Sequence, residues 1–113
     1  MPNYKKEVIS INNKDYDIFI GKNALGNEEI INICHKESIW FHFDEISSPH
    51  IILESKGDDI PKEYLKKVGN ILYLYLQKKH KTTKLRIIYT KVKNVELTEE
   101  PGTVIISNIS YIK

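Results

Sequence analysis

The sequence predicts a single α+β domain over residues 1–113: a mainly antiparallel sheet with one long and one short helix packed on it. Three observations carry this. Several short segments alternate apolar and polar residues with the period of two that a strand imposes. Two segments carry apolar residues at helical spacing. Those helices do not alternate regularly with the strands, which disfavours a parallel βαβ sheet. A chain of 113 residues is long enough for one core and too short for two.

Residues 7–11 and 16–20 read as strands, joined by Asn12-Asn13-Lys14-Asp15, where Asn and Asp tolerate a left-handed backbone. Gly21-Lys22-Asn23 ends the alternation, and Asn23 is placed to cap a short helix over 24–33 with Leu25, Ile30 and Ile33 as its apolar positions. Residues 39–44 and 50–54 form the next strand pair. Past the loop Lys56-Gly57-Asp58-Asp59, Pro61 suits the first turn of the long helix, read over 61–80. There Leu65, Val68, Leu72 and Leu76 recur at spacings of three and four, and Tyr64, Ile71 and Tyr75 widen the stripe. Burying each such side chain contributes about 1.5–3 kcal/mol, so this helix is expected in the core. Its other face carries Lys62, Lys66, Asn70, Tyr73 and Gln77. Residues 84–90 alternate again, with Leu85, Ile87 and Tyr89 on one side and Arg86, Ile88 and Thr90 on the other. Pro101-Gly102 makes a turn, residues 103–107 a strand, and Tyr111-Ile112 ends the sheet.

The most distinctive stretch is Ile39-Trp40-Phe41-His42-Phe43-Asp44, followed by His50 in Ser47-Ser48-Pro49-His50. Strand alternation points Ile39, Phe41 and Phe43 into the core and Trp40, His42 and Asp44 the other way. The chain returns through a short turn, so His42 and His50 are expected on neighbouring strands. An aromatic ring, two imidazoles and a carboxylate form an unusual set for a merely structural hairpin.

Charge is unevenly distributed. The net charge is +2, yet residues 1–60 hold 6 basic and 11 acidic side chains. Between Lys62 and Lys93 lie 10 basic residues and one acid, Glu63. Such a block is the footprint expected for a polyanion, or equally a solvated lysine-rich face. Lys22-Asn23 precedes a helix start, where backbone amides favour phosphate. Tyr89-Thr90-Lys91-Val92-Lys93 interleaves an aromatic with lysines, which suits stacked bases and backbone phosphates.

One cysteine, Cys34, leaves no partner for an internal disulfide. No apolar run approaches the roughly 20 residues that span a bilayer. The opening residues lead into no signal-like segment, so the expectation is a cytoplasmic or nuclear chain. Cys34, His35, His42, Asp44 and His50 lack the paired ligand spacing of a structural zinc site, so no metal or other cofactor is expected. No complete set of nucleophile, base and charge stabiliser is present, so no catalytic residues are assigned.

Gly21-Lys22-Asn23, Asn27, Ile39-Trp40-Phe41-His42, His50-Ile51-Ile52, residues 89–95 and Pro101-Gly102-Thr103-Val104 together resemble the NFACT-R domain. This is the C-terminal module of NEMF-type ribosome-quality-control proteins. Ser47-Ser48-Pro49-His50 and Ile60-Pro61-Lys62-Glu63 look closer to its stand-alone coiled-coil-domain-containing relatives. The resemblance implies RNA binding, in the quality-control setting of tRNA on the large ribosomal subunit. The expected function is therefore a non-catalytic RNA-binding domain, with DNA an open alternative polymer. Its binding residues are expected among Lys22, Asn23, Trp40, His42, His50, Lys79, Lys81, Lys84, Arg86, Tyr89, Lys91 and Lys93. Two other classes remain open: an interaction module for an acidic protein, and a small RNA-processing hydrolase using His42 and His50.

Overall fold

Asn12 and Asn13 both take positive φ, 50° and 68°. A two-residue type I′ hairpin turn needs that backbone, and Asn accepts it at low steric cost. The turn joins β1 (Tyr4–Ile11) to β2 (Lys14–Gly21), paired without interruption from Ile11 opposite Lys14 to Tyr4 opposite Gly21. The hairpin is thus tighter and longer than the sequence pattern indicated. The computed structural model describes residues 2–76 and 85–112.

Helix α1 (Ala24–Ile33) follows, capped by Asn23, whose Oδ1 accepts the Gly26 amide at 2.9 Å. Strands β3 (Ile39–Phe43) and β4 (Ile51–Leu53) pair antiparallel, with Phe41 opposite Ile51. Further along come β5 (Ile87–Lys91), β6 (Val95–Leu97), β7 (Val104–Ile106) and β8 (Ser110–Tyr111). The main sheet has the order β1-β2-β4-β3-β5-β8, every pairing antiparallel. Strands β6 and β7 form a separate hairpin. The alternation had not marked Val95–Leu97 as a strand, because three residues are too few for a period to show.

The long helix departs from expectation. α2 (Lys62–Gly69) is α-helical, the next stretch, Asn70–Tyr75, is 3-10, and Leu76 is extended. Residues 77–80 of the predicted helix lie outside the described residues. The tightening begins at Gly69-Asn70, two weak helix formers. A Cβ at Gly69 would lie 3.3 Å from Ile87 Cγ2, so glycine also lets this segment approach the sheet.

The central strands of the sheet are buried on both faces, so the face that carries Trp40 is a second core face as well as the one that carries His42. On one side Phe41, Phe43, Ile51, Leu53 and Ile87 pack with Leu65, Val68 and Leu72 of the long helix. On the other, Trp40, Ile52 and Ile88 pack with Ile30, Ile31 and Cys34 of α1 and with Val95. Leu97, Val104 and Ile106 of the small hairpin cover that second cluster. No helix among the described residues is long and apolar enough to cross a membrane.

The 3-10 geometry places Leu72 wholly inside and leaves Leu74 79% exposed. Leu72→Ala is expected to cost about 2–5 kcal/mol of unfolding free energy. Leu74→Ala should stay within about 0.5 kcal/mol of the parent. Denaturant midpoints of the two variants check this, and equal losses would contradict the placement.

Candidate functional site

Where β2 and β3 end and β4 and β5 begin, the chain encloses an open groove of about 600 Å³. Trp40, His42, His50 and Ile88 form its floor. One wall is Gly21-Lys22-Asn23 with the start of α1, and another is the segment 44–49. The third is the tip of the small hairpin, Pro101-Gly102-Thr103.

Local sequence explains this convergence. His42 follows Trp40 by two residues and so shares its sheet face. The register Trp40 opposite Ile52 and Phe41 opposite Ile51 continues to bring His42 beside His50. The Trp40 and His42 rings stack 5.5 Å apart at 6°. The His50 ring meets both edge-on, at 5.2 Å and 5.0 Å. Trp40 is 1% exposed and His50 2%, whereas His42 is half-buried and open to the groove.

His50 is locked by its backbone. Its amide donates to Asn27 Oδ1 at 3.0 Å, and its carbonyl accepts the Gly21 amide at 3.0 Å. A Cβ on residue 21 would fall 2.0 Å from Asn27 Oδ1, so this approach requires glycine. The hairpin tip is locked too. Gly102, at φ +79°, donates its amide to Glu28 of α1 at 3.0 Å.

The floor is electrically neutral near pH 7. Burial, reinforced by the nearby His42, holds the His50 imidazole down at about 3. Burial also lowers His42, against the opposing pull of the Phe43 and Ser48 carbonyls and the Asp44 charge. The His42 Nδ1 proton is donated to the Phe43 carbonyl at 2.5 Å. Trp40 Nε1 and His50 Nδ1 are buried with no hydrogen-bond partner among the described residues.

Charge sits on the rim. Lys22 is exposed and makes no ion pair among the described residues. Its amide is already donated to the Asn3 carbonyl at 2.9 Å, so it is not the phosphate donor that the Lys22-Asn23 turn was expected to offer. The first-turn amide of Ala24, which a helix cannot satisfy internally, belongs to this wall. Arg86 lies beside the groove. Its guanidinium binds Asp44 at 2.8 Å and Glu45 at 3.5 Å, and covers the Tyr111 ring at 4.7 Å.

The structure does not bring the rest of the predicted set here. Lys91 and Lys93 lie toward the other end of β5 and grip Glu37 at 2.7 Å and 2.9 Å, which pulls the Glu37 carboxyl down to about 2. Tyr89 faces the opposite side of the sheet, 5.9 Å from the Phe41 ring. Lys79, Lys81 and Lys84 lie outside the described residues. Asn27, Ser48 and the 101–103 turn belong to the groove but were not among the predicted site residues. The Pro101-Gly102 turn was visible in the sequence; its docking onto α1 was not. Among the described residues, no group of three or more His, Cys, Asp or Glu side chains is placed to hold a metal.

Fold and groove together define a small α+β binding domain whose rigid neutral floor is ringed by polar and charged groups. Residues 5–108 match the model for the NFACT protein RNA binding domain, and the chain belongs to that family. It is 33% identical over 95 residues to coiled-coil domain-containing protein 25 of Mus musculus, covering 80% of this chain and 46% of that protein. It is 29% identical over 105 residues to the Dictyostelium discoideum homolog, covering 88% of this chain and 51% of that one. The chain thus spans about half the length of these relatives. The C-terminal structure of the fibronectin/fibrinogen-binding protein from Streptococcus suis superimposes with a TM-score of 0.77 at 19% identity. It covers 97% of this chain and 43% of that one, and shows the shared fold.

Two outcomes follow from the His50 environment. Its folded value of about 3 lies below the ordinary 6.5, so the unfolded chain binds the extra proton. Its contribution to stability is complete above pH 6.5 and is lost as pH falls toward 3, at up to about 1.4 kcal/mol per pH unit. Denaturant midpoints at several pH values should show that slope in the parent and a shallower one in His50→Gln. Asn27→Ala leaves the buried His50 amide unpaired and is expected to cost about 1–3 kcal/mol by the same measurement.

Proposed function

We propose that this domain binds RNA without catalysis, through the groove between α1, the 44–49 segment and the 101–103 turn. One observation carries the reading. Gly21-Lys22-Asn23, Trp40 with His42, His50 and Pro101-Gly102-Thr103 are far apart in sequence, yet all line one groove. They are also the segments on which the family resemblance rests, and the family is an RNA-binding one.

The chemistry is direct. Lys22 and the first-turn amide of Ala24 meet a phosphate. The half-buried neutral His42 ring, backed by Trp40, offers a firm surface and a hydrogen-bonding edge to an unstacked base. His50 and Trp40 shape the floor from beneath. Arg86 stands at the rim, held by Asp44 and Glu45, and offers its guanidinium as a hydrogen-bonding and stacking group. In the family setting, the finer reading is tRNA or ribosomal RNA of the large subunit and a part in translation quality control.

A hydrolytic role for the two histidines fits less well. An acid–base pair works best with values near the operating pH, and burial lowers both rings. An acidic protein partner is less favoured because Lys91 and Lys93 are already engaged by Glu37, which offsets one of their two charges.

Fluorescence anisotropy at several salt concentrations, with single-stranded RNA, tRNA and matched DNA, tests the proposal. With about four to six phosphates met on a single strand, the log–log salt slope is expected at roughly −3 to −4. Lys22→Gln and His42→Asn should each weaken binding about tenfold, in the range of one lost phosphate or stacking contact. Their melting temperatures should stay near the parent value, and a Lys5→Gln, Lys6→Gln control on β1 should bind normally. A flat salt dependence, or no binding at low salt, would sink the reading.

A further inference from the structure

A second cleft lies at the β8 edge, on the side of the sheet opposite the groove. It holds about 400 Å³, within the usual range of roughly 300–1,000 Å³ for small-ligand sites. Lys62 and Lys66 of α2 form one wall, and Tyr89, Ser110 and Tyr111 the other. No carboxylate side chain among the described residues lines it. The two lysines stand four apart on a helix, so their side chains are neighbours. Both are exposed and neither makes an ion pair among the described residues. By contrast Lys14, Arg86, Lys91 and Lys93 all have carboxylate partners. Two adjacent ammonium groups with no ion pair among the described residues, set opposite Tyr89, suit a phosphate-bearing ligand with a planar ring.

The two depressions are linked. Ile88, on the groove floor, is paired with Tyr111, which lines the cleft. Arg86 lies over the Tyr111 ring while holding Asp44 and Glu45 of the groove wall. Its guanidinium therefore stands between the two, with its side chain 58% exposed. A guanidinium plane lying on an aromatic ring is itself a stacking platform for an unpaired base.

We propose that the α2–β8 cleft is a second subsite for the same strand. A single-stranded RNA segment that leaves the groove crosses Arg86, rounds the β8 edge and sets a phosphate between Lys62 and Lys66. This rests on the groove being an RNA site. It assigns the occupant as single-stranded, because only an unstacked base can turn into a cleft of about 400 Å³.

The test compares a short and a longer single-stranded RNA, about 5 and about 12 nucleotides, within the span that small domains cover. The wild-type chain is expected to bind the longer strand more tightly. The double variant Lys62→Gln, Lys66→Gln should lose about tenfold on the longer strand and nothing on the shorter. Its log–log salt slope on the longer strand should be shallower by about 0.7, the share of one phosphate on a single strand. An unchanged melting temperature shows that the lysines act on the ligand. Wild-type protein that binds neither strand overturns the RNA reading and this proposal with it. Wild-type protein that binds the longer strand with an affinity and slope indifferent to the double variant overturns the cleft alone, and the groove stands.

Discussion

The hydrogen bond from the His50 amide to the Asn27 side chain governs the geometry of this protein's functional end. It ties the middle of α1 to the entrance of β4 at 3.0 Å. It forms only because residue 21 has no side chain; a Cβ there would lie 2.0 Å from the same oxygen. The Gly21 amide then closes the clamp on the His50 carbonyl. With both backbone groups of His50 held, β4 enters the sheet in one register. That register places His50 beside His42 and carries Trp40 beneath it. A buried amide and carbonyl must find partners, and here their partners are also what positions the floor of the groove.

Burial of both faces of the sheet has a chemical consequence. Trp40 and His50 are interior residues of a second core and keep the His42 ring in place from behind. Deep burial disfavours charged imidazole, so the floor contributes shape, dipoles and ring faces, not net charge. Net charge is left to the rim, where solvent makes each ion pair weak and reversible. The arrangement divides labour as nucleic-acid sites commonly do: mobile lysine and arginine side chains for phosphates, a fixed aromatic surface for bases.

The small hairpin closes the groove by another close approach. Gly102 sits against Ala24, where a Cβ would be 2.9 Å from the Ala24 Cβ, and bonds Glu28 at 3.0 Å. Its β-strands also roof the second core. One element thus stabilises the fold and forms a wall of the site. Substitutions on it will register in both stability and binding, which is why paired measurements are needed to separate the two.

The sequence by itself determined the α+β class, the short helix and its Asn23 cap, the pairing of the two histidine-bearing segments and the core role of Leu65, Val68 and Leu72. Each is a local matter of period, capping chemistry or turn residues, and local patterns survive folding. Helix length did not survive intact. The pattern ran on past Gly69, but from Asn70 the chain tightens into 3-10 geometry after two weak helix formers. The site needed tertiary structure still more. Strand alternation could place Trp40 opposite Phe41, yet only the arrival of α1 and the small hairpin decided that this second face is also buried. Charge counting drew one basic block between Lys62 and Lys93. Folding separated Arg86 at the groove rim, Lys91 and Lys93 engaged by Glu37, and Lys62 with Lys66 at a second cleft on the other side of the sheet. The reason is physical: periodicity reports which way a side chain leaves its own strand or helix, whereas contact, burial and ion pairing depend on what the rest of the chain brings opposite.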